Sequence, residues 1–331
     1  MSIVSNTLNW AQLEAKRSNR SKASVLVDMT ANYILYGVLP QEYFHFGFYG
    51  KSASDKKTYF TYKLYSERRK EYSNPEYEDV IFQDKFIFSK VFHEYYGRES
   101  FLLSSSTQKK DALDFIERVK KFVYKPLKAQ EGIGIKSYAI SDYENAEALY
   151  EALPKKAEAL LDEWMIQAPE MSKYYEGGVN CIRVYTFLHD DIFRFIDAKV
   201  SFGVGSDIVN ATLDSSIFGI VDVETGIITS DLANYNLDVF EEHPVTHFKA
   251  KGTQLPRWDE VLELARKAAY VVPQVAYVGW DIAITDKGPV LIEGNHCGGC
   301  GGNQFCVLRD DTKGTRDTWD VMGKIKRETR E

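Results

Sequence analysis

No run of about 18 apolar residues occurs in this 331-residue chain, so no transmembrane helix is expected. The first residues, MSIVSNTLNWAQLEAKRSNR, lack the hydrophobic stretch of a signal peptide, and a cytoplasmic location is expected. Cysteine is scarce, with only Cys181, Cys297, Cys300 and Cys306. In a reducing compartment these are expected to remain thiols. The C-x2-C-x5-C cluster of Cys297, Cys300 and Cys306 has no fourth ligand at usual spacing, so structural zinc is not expected there. There is no internal repeat, no low-complexity tract, and no convincing Ser/His/Asp or Cys/His arrangement for a catalytic nucleophile. A net charge of −7 excludes nucleic acid as the main partner, because a phosphate backbone requires a basic face. A local basic pocket for a small phosphorylated ligand is compatible with that total.

What is present is an ordinary globular composition, 44% hydrophobic and 27% charged, with 21 Tyr and 19 Phe concentrated towards the first third. Residues 9–36 and 54–72 are patterned as helices, and the aromatic clusters in 33–65 read as core. FGFYGKS at 46–52 is two residues short of phosphate-loop spacing and has no strand before it, so it reads as a polar turn. Helices are expected over 84–96 and across Leu113 to Phe122, and FVYKPL at 122–127 reads as a strand. AQEGIGI follows as a glycine loop, and Ser141 with Glu144 has capping-box spacing for a helix reaching about Leu153. WMIQA, CIRVYTFL, IFRFIDAKV, IFGIVDV and IITSDL are short β-rich runs, with ETG at 224–226 a hairpin turn and His243–Pro244 shaping another. Residues 258–272 form a strong amphipathic helix, and 279–295 a hairpin, before a polar C-terminal helix or tail. The fold class is α+β with antiparallel sheets.

The hairpin carries the most chemistry. Glu293 and Asn295 lie two apart and share a face, and the turn at 285–288 brings Asp281 to within about one residue of register with Glu293. Two carboxylates and an amide oxygen in an apolar sheet suit Mg²⁺ (Mn²⁺ as an alternative), completed by phosphate oxygens. Lys125 inside a strand and Lys85 at a helix start could supply positive charge, and Gly132 and Gly134 permit backbone to approach phosphate.

With these segments in view, the chain resembles the ATP-grasp superfamily, specifically its sugar-transfer-associated group found with cell-surface polysaccharide genes. DKFIFSKVF, FVYKPLKAQEGIGI, EWMIQAP, VNCIRVYTF, DAKVSFG and GWDIAITDKGPVLIEGN carry the resemblance, over roughly residues 35–305. It implies an ATP-grasp fold of two α+β lobes clamping ATP, with 81–165 as the small lobe and 166–305 as the large lobe. A helical, aromatic-rich region would precede them at 1–80 and a tail would follow at 306–331. It further implies that Lys85 and Lys125 hold the α/β-phosphates and that the loop of Gly132 and Gly134 closes over them. Glu163 and the backbone of Trp164, Met165 and Ile166 would form an adenine hinge, with Glu170 reaching the ribose. Arg183, Lys199 and Asn210 would be catalytic, and Asp281, Glu293 and Asn295 would bind the metal. His296 reads as a hydrogen-bonded histidine beside the site. The implied activity is ATP- and Mg²⁺-dependent joining of a carboxylate to an amine, with small-molecule substrates, sugar-linked ones among those implied, and a glycosyltransferase as the implied partner. A kinase that stops at phosphoryl transfer, and a non-catalytic nucleotide-binding scaffold, remain open alternatives.

Overall fold

The computed structural model describes residues 3–127, 133–155, 157–205, 216–296 and 302–329. Gly132, Asn210, Cys297 and Cys300 lie outside the described residues. Two antiparallel sheets organise the chain. The first joins β1 (Ser100–Leu103), β2 (Lys121–Pro126), β3 (Lys136–Ala139) and β4 (Ala159–Glu163) in the order β1-β4-β2-β3. The second comprises β5 (Cys181–His189), β6 (Ile192–Gly203), β7 (Ser216–Val221), β8 (Leu232–Ala233), β9 (Val239–Phe240), β10 (Tyr277–Thr285) and β11 (Gly288–Asn295). Its order is β11-β10-β5-β6-β7-β8-β9. Among the described residues no helix is long and apolar enough to cross a membrane.

The small sheet is backed by the helices Lys109–Val119 and Ala146–Ala152, whose Phe115, Ile116 and Leu149 pack on Phe122, Tyr124 and Leu161. The second of these helices starts later than the Ser141/Glu144 spacing predicts. Asn145 is its cap, accepting the Ala148 N–H, while Ser141 lies in a preceding 3₁₀ turn. An Asn carboxamide reaches the same orphan N–H as a Ser hydroxyl would.

Alternation fixes the large sheet. Ile182, Val184, Ala198, Val200, Trp280 and Ile282 point to one face and bury against Trp258–Val271, which contributes Val261, Leu264, Ala265, Ala268 and Ala269 at helical spacing. Phe88, Phe92 and Tyr96 cover the same face from 85–96, which forms two short helices, the first capped by Asp84. Each such fully buried large side chain stabilises the fold by about 1.5–3 kcal/mol.

The opposite face carries the polar residues, and there the two ends of the chain meet. Phe60 and Tyr65 from the N-terminal helices join Trp319 and Val321 from the C-terminal ones over Tyr185, Phe187 and Tyr277. The expected aromatic core is found in part: Tyr43, Phe44, Phe46, Phe48, Tyr59, Phe60 and Tyr65 are buried, whereas Tyr33 and Tyr62 are exposed. The 46–52 segment is a turn between helices, although Phe46 and Phe48 make it apolar on its inner side. WMIQA is not a strand: β4 ends at Glu163, and only Gln167 bridges, to Thr285. IITSDL contributes isolated bridges at Ile227 and Ile228 and the start of β8.

Asp197 gives this packing a pH signature. It accepts from Asn303 and from the Trp319 indole (3.2 Å), and burial raises its carboxyl from 3.8 to about 6. Because the folded value lies above the unfolded one, the folded state holds the extra proton between them. Stability from this group is therefore present below the unfolded value and lost as pH rises through about 6. Asp197→Asn is expected to flatten the fall in stability between pH 4 and 7, by up to about 2–3 kcal/mol. Urea unfolding at several pH values tests it, and an unchanged slope would refute the assignment.

Candidate active site

Four ionisable residues lie directly opposite one another across four neighbouring strands. Glu293 on β11 pairs with Asp281 on β10, Asp281 with Arg183 on β5, and Arg183 with Lys199 on β6. Residues opposite each other in an antiparallel ladder point to one face, so two anions and two cations form a row. The Asp281–Glu293 register is direct, and the ladder shifts only after Asp281.

The row is tightly bonded. Both oxygens of Asp281, 5% exposed, accept from the Arg183 guanidinium in a two-pronged pair. Asn295 donates to Asp281 at 3.1 Å and to Glu293 at 3.3 Å. Gly279 makes room: a Cβ there would lie 2.9 Å from the Tyr185 ring and 3.5 Å from Arg183 Cδ. Burial, reinforced by the charge of Asp281, pushes the Glu293 carboxyl above its ordinary range. Among the described residues no cluster of three or more His, Cys, Asp or Glu side chains is placed to hold an ion. The set of Asp281, Glu293 and Asn295 nevertheless fits a hard divalent cation. Its donors are oxygens, and a cation between the carboxylates removes the repulsion that now favours protonating Glu293.

The small sheet and the helix Lys85–Val91 each bring a lysine towards this row. Lys125 on β2 is ion-paired at 2.6 Å with Asp162 on β4. Lys85, at the start of the helix Lys85–Val91, is held below its usual value by burial, opposed by the Glu293 charge and reinforced by Lys125. Lys85, Lys125 and Glu293 are thus within electrostatic reach of one another. Gly134 adopts φ +77, and a Cβ there would lie 3.1 Å from Pro126, the neighbour of Lys125. The left-handed conformation is the glycine requirement at this position.

Other expected residues are elsewhere. Glu163 is engaged by the Glu99 N–H at 2.9 Å, and Trp164 lies under the Lys121 ammonium at 3.5 Å. Met165 is half-buried and Ile166 is 72% exposed, on the connection from β4 towards the large sheet. Glu170 pairs with Arg257 at 3.1 Å rather than joining the row. His296 is buried, its carbonyl accepting the Tyr65 hydroxyl, and burial lowers its ring to about 4. His243 shapes its turn, accepting the Val245 and Thr246 N–H groups.

Three further residues belong to the site and were not legible as such. Asp162, 1% exposed, also accepts from Tyr96 and Arg98. A charge inside the apolar run ALLDE is the same signal that singles out Lys125. Arg98 links the sheets, donating to Asp162 and to the Leu291 and Ile292 carbonyls of β11. Tyr235 stands beside Lys199, whose ammonium is 6.0 Å from its ring and 4.9 Å from that of Phe218, and that charge lowers the Tyr235 phenol. Its irregular segment carries no periodic signal.

The sequence pattern of the sugar-transfer associated ATP-grasp family matches residues 65–309. Solved structures that align include a D-alanine–D-alanine ligase from Bacillus anthracis, at 12% identity and a TM-score of 0.41 over 70% of this chain and 64% of that one. ATP-grasp ligase PsnB, complexed with a phosphomimetic variant of its minimal precursor, Mg and ADP, aligns at 14% and 0.42 over 78% and 61%. D-alanyl-alanine synthetase A from Vibrio cholerae O1 aligns at 11% and 0.45 over 77% and 67%. The chain spans less than two thirds of the length of the first two. No curated protein matches it in sequence.

Proposed function

Since the chain belongs to the sugar-transfer associated ATP-grasp family, we propose that it joins a carboxylate to an amine at the expense of ATP, through an acyl phosphate. The observation that carries this reading is the row of Glu293, Asp281, Arg183 and Lys199, with Lys85 and Lys125 facing its acidic end.

Two anions must approach for a carboxylate oxygen to attack the γ-phosphorus. Lys85 and Lys125 would hold the α/β-phosphates, and the small sheet with 81–165 and the large sheet with 166–305 would be the lobes on either side. Arg183, oriented by Asp281, and Lys199 would neutralise the γ-phosphate and then the acyl phosphate as charge moves onto them. Mg²⁺ held by Asp281, Glu293 and Asn295 would screen the phosphate oxygens. As the carboxylate oxygen bonds to phosphorus, the bond to the bridging oxygen breaks and ADP leaves. The amine then attacks the acyl carbon, phosphate departs, and the nitrogen loses a proton. Closure of the loop of Gly132 and Gly134 would exclude the water that hydrolyses this intermediate. The adenine would lie along Glu163, Trp164, Met165 and Ile166, with Glu170 reaching the ribose only if it leaves Arg257. Asn210 would complete the acceptor end.

The family's association with sugar transfer supports a sugar acid as carboxylate and a surface glycan as destination. The test is ADP and phosphate release from Mg-ATP, with uronic acids and amino acids offered singly and in pairs. Release that requires one carboxylate–amine pair, with a stoichiometric amide product, is the expected result. A phosphorylated product that persists without amine would replace the ligase with a kinase. ATP binding without turnover for any pair, lipid-linked glycans included, would favour a nucleotide-binding scaffold.

A further inference from the structure

The helix Lys22–Tyr36 is apolar on both sides, although only one is covered. Val25 and Met29 bury against the first helix and Phe48, while Val27, Ile34 and Leu35 on the opposite side are 71%, 72% and 71% exposed. Tyr33 beside them is 55% exposed. Large apolar side chains left exposed together on one helix mark an interaction surface, although Ser24 and Thr30 share the exposed side.

The surroundings of the stripe say which. Leu35 is also a wall of a cleft of about 360 Å³ lined by Lys56, Lys57, Lys63 and Arg316, with Tyr59 on its floor. Glu67 is the one carboxylate in that lining. Lys56, Lys57 and Lys63 take part in none of the ion pairs found among the described residues, whereas Arg316 is 3.7 Å from Asp320. Lys63 lies across the end of the helix, since a Cβ at Gly37 would be 2.4 Å from its Cδ. Three lysines outside the ion pairs found among the described residues, against one carboxylate, thus abut the exposed Leu35 on a protein whose total charge is −7. Apolar and tyrosine side chains that enter a bilayer interface, edged by lysines that meet acidic headgroups, are the chemistry of peripheral membrane attachment.

We propose that the Val27–Ile34–Leu35 stripe and the cleft of Lys56, Lys57 and Lys63 together dock this protein on an anionic phospholipid surface. The surface is separate from the charged row and does not depend on the ligase reading.

Sedimentation of the full chain with vesicles tests the proposal, using phosphatidylcholine alone and phosphatidylcholine mixed equally with phosphatidylglycerol. Binding is expected to the mixed vesicles, at least about tenfold tighter than to phosphatidylcholine, and weakened by salt. Ile34→Asp should reduce it through the apolar term and Lys57→Glu/Lys63→Glu through the electrostatic one, each lysine being worth about fivefold or more. All these positions are exposed, and unchanged circular dichroism and melting would show that the variants fold. Equal binding to both vesicle types, or binding indifferent to both variants, would overturn the proposal. So would a stable dimer by light scattering that Ile34→Asp converts to monomer, because a second copy would then be the occupant.

Discussion

Asp281→Asn is expected to lower ATP-dependent product formation by at least about a hundredfold, the scale of losing one preorganised electrostatic group from an active site. Asp281 does two things at once. Its carboxylate takes both prongs of Arg183, and it stands opposite Glu293 with Asn295 touching each of them. An amide of the same shape offers one acceptor and no charge. Arg183 would lose half of its anchoring, and the metal set would lose one of its two anions. ADP release from purified wild type and variant, once a substrate pair is known, is the measurement. Turnover within a fewfold of wild type would remove the row from the mechanism. Before substrates are known, nucleotide binding with and without Mg²⁺ serves as an early reading. Wild type should show metal-dependent affinity that the variant lacks.

The second large effect concerns stability. Asp162→Asn is expected to cost about 3–5 kcal/mol, as removal of one partner from a buried ionic cluster does. One carboxylate there serves Tyr96 at 2.8 Å, Arg98 at 3.1 Å and Lys125 at 2.6 Å, and Asn would leave two cations without a counter-charge. Burial by itself would raise the Asp162 pKa, but Arg98 and Lys125 more than offset it and hold the group below its ordinary value. A depressed folded value means the contribution is present above the unfolded pKa and lost as pH falls through the folded one. Arg118→Ala is the control. Its pair with Glu99 is about half exposed on both sides, where solvent screening leaves an ion pair little net contribution, so a far smaller loss is expected. Urea unfolding of both variants separates the cases, and equal losses would mean that Asp162 is not a buried hub.

How much of this was legible in the sequence follows from where each signal resides. The β10–β11 hairpin was readable because strand alternation, a short turn and polar residues two apart all occur within 17 consecutive positions. Lys125 was readable because a charge in an apolar strand is conspicuous. Arg183 and Lys199 entered through family resemblance, and only the ladder shows that they stand opposite one another. Arg98 was not readable: its partners are Asp162 and two backbone carbonyls of β11, and nothing local marks an arginine that will be buried between sheets. WMIQA at 164–168 reads as a strand because Trp and Ile favour strands, whereas β4 ends once its ladder partners do. The helix cap was misplaced by four residues because Ser141, Asn145 and their neighbours all offer capping side chains, and packing of Leu149 and Leu153 selects among them.

The bond between Phe60 and Gln304 has a consequence for the order in which the chain is made. The Gln304 side chain accepts the Phe60 N–H at 2.9 Å and donates to its carbonyl at 3.0 Å, across 244 positions of sequence. A buried peptide group cannot remain without partners. During synthesis the aromatic region around Phe60 emerges well before Gln304 and Trp319, and its inner surface has neither to close over it until that later segment has left the ribosome. It must wait through translation with Phe60 and Tyr65 uncovered, a period in which a chaperone has the most apolar surface to hold.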